Sequence, residues 1–274
     1  MTTVAPRPNR STLPYAGDLM DTGPRPGTLA RCHALIIGVE GVITDTARIH
    51  AATWQRAFDT FLRQAGHLPP HTTRPFDADL DFRRFFQGRT RAEGVQAFLT
   101  ARGIPQPNGE GAWAPDSDAV RGLTALEDRF FDEYLRRHGV PVWPDSLRLV
   151  GAMRRHAVPV AAVSASHRSH TLLTAAGVQH RFDTVVDGHD RERLHCPAGP
   201  DPALLQQAAR QLRATPLRTA VVVAAPAWVT AARRGGFGMV IGLDRAGRTD
   251  HAVELYERGA DHVVRALTEL LPDA

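Results

Sequence analysis

The side chains able to do chemistry lie in a few short stretches far apart in the chain. The apolar run Ala34-Leu35-Ile36-Ile37 leads into Gly38-Val39-Glu40-Gly41, so Glu40 carries a carboxyl just past a strand, where it could serve as general acid or base. A second apolar run ends in Val163-Ser164-Ala165-Ser166, followed by His167 and Arg168, and hydroxyls beside a guanidinium are donors of the kind that hold phosphate. Gln87, Arg89 and Arg91 flank Gly88 in a third stretch, and Thr46 and His50 follow soon after Glu40. Cys196, next to His195, is a candidate thiolate nucleophile, though a weak one. His167 with His170, or His189 with His195 and Cys196, could be drawn as a zinc site; their spacing fits no standard ligand pattern, so solvated loop residues are expected and no metal is assigned.

The elements that must position these residues alternate. Short apolar runs at Ala34–Ile37, Val158–Val163, Ala220–Val223 and Gly238–Gly242 read as buried strands. Between them, Ser146–His156, Ser169–Ala176, Pro202–Leu212 and Val229–Arg234 repeat apolar residues every three or four positions, as helices do. Alternating strands and helices predict an α/β fold with a doubly wound, mainly parallel sheet and ligands beyond the carboxyl ends of its strands. Residues 51–140 break the alternation and read as an inserted helical cap domain with a long internal loop over 103–118; residues 31–50 and 141–274 then form the core domain. Residues 1–30, rich in Pro, Gly and Thr, read as a disordered leader without the apolar segment of a signal peptide.

Composition removes other classes of function. No apolar run approaches the ~18 residues of a membrane span, so no membrane partner is expected. The 33 basic residues are all arginines, scattered and without interleaved aromatics, which argues against a nucleic-acid reader. Two cysteines are too few for a disulfide framework and match a reducing, cytoplasmic setting.

In order, these stretches resemble the haloacid dehalogenase-like superfamily, and most closely its β-phosphoglucomutase-like phosphatases and phosphomutases. The match is carried by Gly41-Val42-Ile43-Thr44-Asp45-Thr46-Ala47 with His50 and Trp54, by Phe86-Gln87-Gly88-Arg89-Thr90-Arg91, and by Val163-Ser164-Ala165-Ser166. Pro197-Ala198 with Pro200-Asp201, and Gly235-Gly236-Phe237-Gly238 through Asp244-Arg245, continue it. The resemblance implies a Rossmann-like core with a helical cap, Mg²⁺ as cofactor, and an aspartate nucleophile followed two residues later by an aspartic acid. This chain departs from that pattern at each catalytic motif: Gly38 stands at the nucleophile position, Glu40 at the acid, Ala224 and Ala225 at the metal-binding acidic pair, and Cys196 at the lysine. The residues the resemblance assigns to phosphate or substrate persist: Thr46, His50, Gln87, Gly88, Arg89, Arg91, Ser164, Ala165, Ser166 and Arg168.

The expectation is therefore a pseudoenzyme without a metal cofactor that binds a phosphorylated metabolite such as a sugar phosphate, or a protein partner. Two alternatives stand beside it. One is a metal-independent hydrolase, lyase or isomerase using Glu40 as acid or base; the other is a scaffold or regulatory subunit of an active relative.

Overall fold

The computed structural model describes residues 29, 31–64, 72, 74–86, 90–105, 113–114, 117–196 and 200–271. The leader read over residues 1–30 thus lies, apart from Leu29, outside the described residues, as do residues 106–112 and 115–116 of the expected loop.

Six strands form one sheet: β1 (Ala34–Gly38), β2 (Val160–Val163), β3 (Thr184–Val186), β4 (Thr219–Val223), β5 (Met239–Leu243) and β6 (His262–Val264). Their order is β3-β2-β1-β4-β5-β6, and every neighbouring pair is parallel. Strands β1, β2 and β4 are buried along their whole length, which is why they read as unbroken apolar runs. Strands β3 and β6 were absent from the sequence reading. β2 also starts later than expected: Ala157 turns the chain through a φ of 56°, and Pro159, with no amide proton, meets the sheet only through its carbonyl, which accepts the Leu35 amide.

Ten helices accompany the sheet among the described residues: α1 (Thr46–Gln64), α2 (Leu80–Phe85), α3 (Arg91–Ala101), α4 (Asp118–His138), α5 (Pro144–Arg155), α6 (Ser169–Ala175), α7 (Gly188–Arg193), α8 (Ala203–Gln211), α9 (Pro226–Arg234) and α10 (Thr249–Glu257). The chain divides into two compact units: Met1–Ile43 with Trp143–His170 and His180–Ala274, and Thr44–Val142 with Thr171–Gln179.

In the first unit, Leu204, Leu205 and Ala208 of α8 and Val229 and Ala232 of α9 join Ile36, Val221 and Val240 of the sheet in one apolar core. In the second, α1 buries Ile49, Thr53, Trp54, Ala57, Phe58 and Leu62, a stripe with helical spacing. Phe58 stacks on Phe76 and packs at a tilt against Phe98, with ring centroids 5.0 and 4.1 Å apart, building that unit's core from aromatic rings. Thr44 pairs antiparallel with Val142, which brings the two ends of this unit's main segment together.

The sheet's chain order changes direction between β1 and β4, so the carboxyl ends of β1, β2 and β4 open on the crevice where α/β folds bind ligands. Arg245, just past β5, fastens the loops there. Its guanidinium donates to both carboxylate oxygens of Asp145 at 2.9 and 3.0 Å, to the Val42 carbonyl at 3.0 Å and to the Ser146 hydroxyl at 3.0 Å. Asp145 also accepts the Leu267 amide at 2.8 Å. Arg245→Ala should lower stability by about 2–3 kcal/mol, because it strands a mostly buried carboxylate. Arg245→Lys should recover less than half of that loss, since an ammonium cannot make the two-pronged contact. Denaturant unfolding of the three proteins measures both.

Candidate functional site

At the end of β1 the chain turns back on itself: the Ile43 amide donates to the Val39 carbonyl at 3.0 Å, and Gly41 adopts a φ of +74° that only glycine takes without strain. This turn presents Glu40, half-buried, toward the end of β2. There the buried Ser164 hydroxyl donates to Glu40 Oε1 at 2.9 Å, and Ser164 Oγ in turn accepts the Ser166 amide at 2.9 Å. Ser166 Oγ accepts the Arg168 amide at 3.1 Å, and the Ser169 hydroxyl donates to the Ser166 carbonyl at 2.9 Å. The loop is thus held by its own hydroxyls. Ser164's proton is committed to Glu40, whereas Ser166 uses its oxygen only as an acceptor in these contacts and keeps a proton to donate.

The side chains nearest Gly38 are apolar, with the Val222 carbonyl beside them. A Cβ there would lie 3.3 Å from Val42 Cγ2 and 3.7 Å from Val223 Cγ1, and the nearest side-chain atom to a Cβ at Gly41 would be Ala224 Cβ at 3.4 Å. β4 ends at Val223, Ala224 follows it, and Ala225 is the residue before α9, which Pro226 opens. The structure thus adds Val223, which the sequence reading did not single out, to the residues fronting Gly38; its side chain is apolar like its neighbours'. Ala225, exposed and offering no side-chain cap to the helix, stands one residue further from β4 than Ala224.

Cys196, half-buried, lines a cavity of about 140 Å³ with Ala165, Arg191, Asp201, Leu204 and Trp228. Burial, and then the charge of Asp201, push its thiol above the ordinary range, while the Arg191 guanidinium pulls it the other way. A raised thiol is not a ready thiolate, so the nucleophile reading of Cys196 receives no support. Arg191 went unnoticed in the sequence because nothing in its spacing marks it as a neighbour of Cys196.

The remaining predicted residues lie in the second unit. Thr46, buried, opens α1, and His50 Nδ1 lies 2.9 Å from Glu127 Oε1 with its ring stacked on Phe131 at 4.5 Å. Arg91 opens α3 behind the cap formed by Thr90 and Glu93. Its guanidinium donates to Glu127 Oε2 at 2.7 Å and Asp128 Oδ1 at 2.8 Å, and to the Thr124 carbonyl at 3.1 Å. Arg91, expected as a ligand contact, pairs with the acids of α4. Gln87, Gly88 and Arg89 lie outside the described residues, as do Pro197 and Ala198.

Glu127 is the centre of this network and sits, fully buried, inside the apolar stripe of α4 formed by Val120, Leu123, Phe131 and Leu135. The Thr53 hydroxyl is a third donor to it, at 2.8 Å. Burial pushes its carboxyl up, but His50, Arg91 and Thr53 together hold it below the usual glutamate range.

Comparison with known proteins gives this site a context. Residues 32–236 match the haloacid dehalogenase-like hydrolases. The β-phosphoglucomutase of Mycobacterium bovis is 32% identical over 245 residues, 89% of this chain and 94% of that one. A longer Mycobacterium tuberculosis protein, described as an uncharacterized glycosyl hydrolase, is 36% identical over 249 residues, 90% of this chain and 18% of that protein. A HAD family hydrolase from Deinococcus radiodurans, solved with phosphate and sodium bound, shares the fold at a TM-score of 0.65 and 23% identity, covering 88% of this chain and 93% of that one.

A carboxyl held low in the folded state contributes stability that is complete above its unfolded pKa, about 4, and disappears as pH falls through the folded value. Glu127→Gln should therefore lose about 2–3 kcal/mol at neutral pH, discounted for the partial exposure of Arg91 and His50. It should also show a shallower fall in melting temperature below pH 5 than the parent, which thermal melts across acid pH will measure.

Proposed function

Because this chain belongs to the haloacid dehalogenase-like hydrolase family, in its β-phosphoglucomutase-like branch, we propose that it is a member without aspartyl-phosphate chemistry, one that holds a phosphorylated metabolite such as a sugar phosphate in its core unit. The observation that carries this reading is the apolar enclosure of Gly38 by Val42 and Val223, with Ala224 beside Gly41. A covalent phosphoenzyme needs a carboxylate at that strand end, and glycine has no side chain to supply one.

The same residues do not fit Mg²⁺. That ion requires an octahedron of hard oxygens, with one or two carboxylates among them. Of Gly38, Glu40, Val223 and Ala224, only Glu40 carries a carboxylate, and Ser164 already hydrogen-bonds it. The proposal accordingly includes no metal at this position and no step that depends on one.

Three groups support phosphate binding in its place. Ser166 retains a hydroxyl proton, Arg168 follows it, and Arg191 brings a cation beside Cys196 in a chain that has no lysine. The names of the relatives point to phosphorylated glucose as the first ligand to try.

The contact between Ser164 and Glu40 favours one further reading, a metal-independent enzyme in which Glu40 moves a proton. One set of assays separates the two. Under the first reading, purified protein releases no phosphate from β-glucose 1-phosphate or p-nitrophenyl phosphate, with or without Mg²⁺. Glucose phosphates then raise its melting temperature independently of metal, and Ser166→Ala and Arg191→Ala each reduce that rise. Turnover that survives chelator and disappears in Glu40→Gln would establish the second reading. Mg²⁺-dependent release would sink both, and absence of any thermal response would leave a scaffold role.

A further inference from the structure

Helix α7 and the loop after β2 meet more tightly than any side chain would permit. A Cβ on Gly188 would lie 2.7 Å from the His167 amide nitrogen and 2.9 Å from the Ala165 carbonyl oxygen, and the Gly188 amide donates to the Ser166 carbonyl at 3.1 Å. This approach sets His167 against the first turn of α7. His189 and Glu192, three residues apart, share one face of that helix. The His167 and His189 rings meet edge to face with centroids 4.8 Å apart, and His167 Nε2 lies 2.8 Å from Glu192 Oε1. One ligand-type atom from each of the three falls within 4.8 Å of the others.

We infer that His167, His189 and Glu192 form a binding site for a late first-row divalent cation, zinc above all, that bridges the loop after β2 to α7. Two imidazoles and a carboxylate are a ligand set zinc accepts at about 2.0–2.2 Å, leaving a fourth tetrahedral position for water or an anion. Tetrahedral ligands at those lengths stand about 3.3–3.5 Å apart, so exposed side chains already within reach of one another need only small rotations. Imidazole also sets the choice of ion, because Mg²⁺ prefers oxygen throughout.

A second, independent feature calls for positive charge at the same place. Asp187 is buried, caps α7 by accepting the His189 amide through Oδ1 at 2.9 Å, and leaves Oδ2 without a hydrogen-bond partner. His170 Nε2 is 4.0 Å from that oxygen, too far for a hydrogen bond. Asp187, His189 and Glu192 line one pocket of about 500 Å³ together with His170 and Arg193, so the buried carboxylate lies beside two of the three side chains that would hold the cation. His195 and Cys196, which the sequence placed among the zinc candidates, do not belong to this group.

The site stands independently of the phosphate reading and is tested with the metal alone. Calorimetric titration of ZnCl₂ into tag-free, metal-stripped full-length protein should show one equivalent bound, with Mg²⁺ in tenfold excess failing to compete. His167→Gln and His189→Gln, surface substitutions whose folding is checked by thermal melts, should each weaken binding at least about tenfold. Cys196→Ser should leave it unchanged. A zinc-soaked crystal should show its anomalous peak between the three side chains. No saturable binding, binding that both histidine variants retain in full, or binding that Cys196→Ser abolishes would overturn the assignment.

Discussion

A single guanidinium, that of Arg245, holds the working end of the core together. A parallel sheet satisfies its backbone within the ladder, but the loops leaving the carboxyl ends of the strands have no ladder to join. Arg245 supplies the missing partners: it bonds the Val42 carbonyl of the turn after β1, the Ser146 hydroxyl of α5 and both oxygens of Asp145. Asp145 passes the restraint on to the Leu267 amide. The turn that carries Glu40 is thus braced by a residue some two hundred positions further along the chain.

Buried charge is answered by different donors in the two units. Glu127 interrupts an apolar helix stripe yet keeps its charge, because three donors reach it from α1 and α3. Around Gly38 the nearest side chains are instead Val42 and Val223, and Glu40 accepts the Ser164 hydroxyl. A carboxylate in a poorly hydrated place needs several hydrogen bonds or a cation to stay ionised. By that measure Glu127 in the second unit and Asp145 in the first are both well provided, the one by three side chains and the other by Arg245 and the Leu267 amide.

The legible part of the fold is the part whose physics is local. β1, β2, β4 and β5 announce themselves as apolar runs because the sheet buries them on both faces, whereas β3 and β6 are three-residue edge strands, too short for periodicity to register. The departures at Gly38, Glu40, Ala224 and Cys196 could be read because a resemblance supplied the register. Val223 and Arg191 could not, since their importance lies in which side chains they stand beside. Glu127 reads in sequence as one more acid on a helix; only the fold brings it to His50, 77 residues away. The histidines show the same limit: sequence spacing sets His167 beside His170, and only the fold brings its ring to His189.

Gly188 has a mechanical meaning as well. With no room for even a methyl group between them, α7 and the loop after β2 pack backbone against backbone at Gly188. A movement of the Ser166 loop toward α7, or of α7 toward that loop, would therefore meet backbone atoms at once. Any coupling between ligands on that loop and on α7 would, by thermodynamic reciprocity, be equal in free energy in both directions.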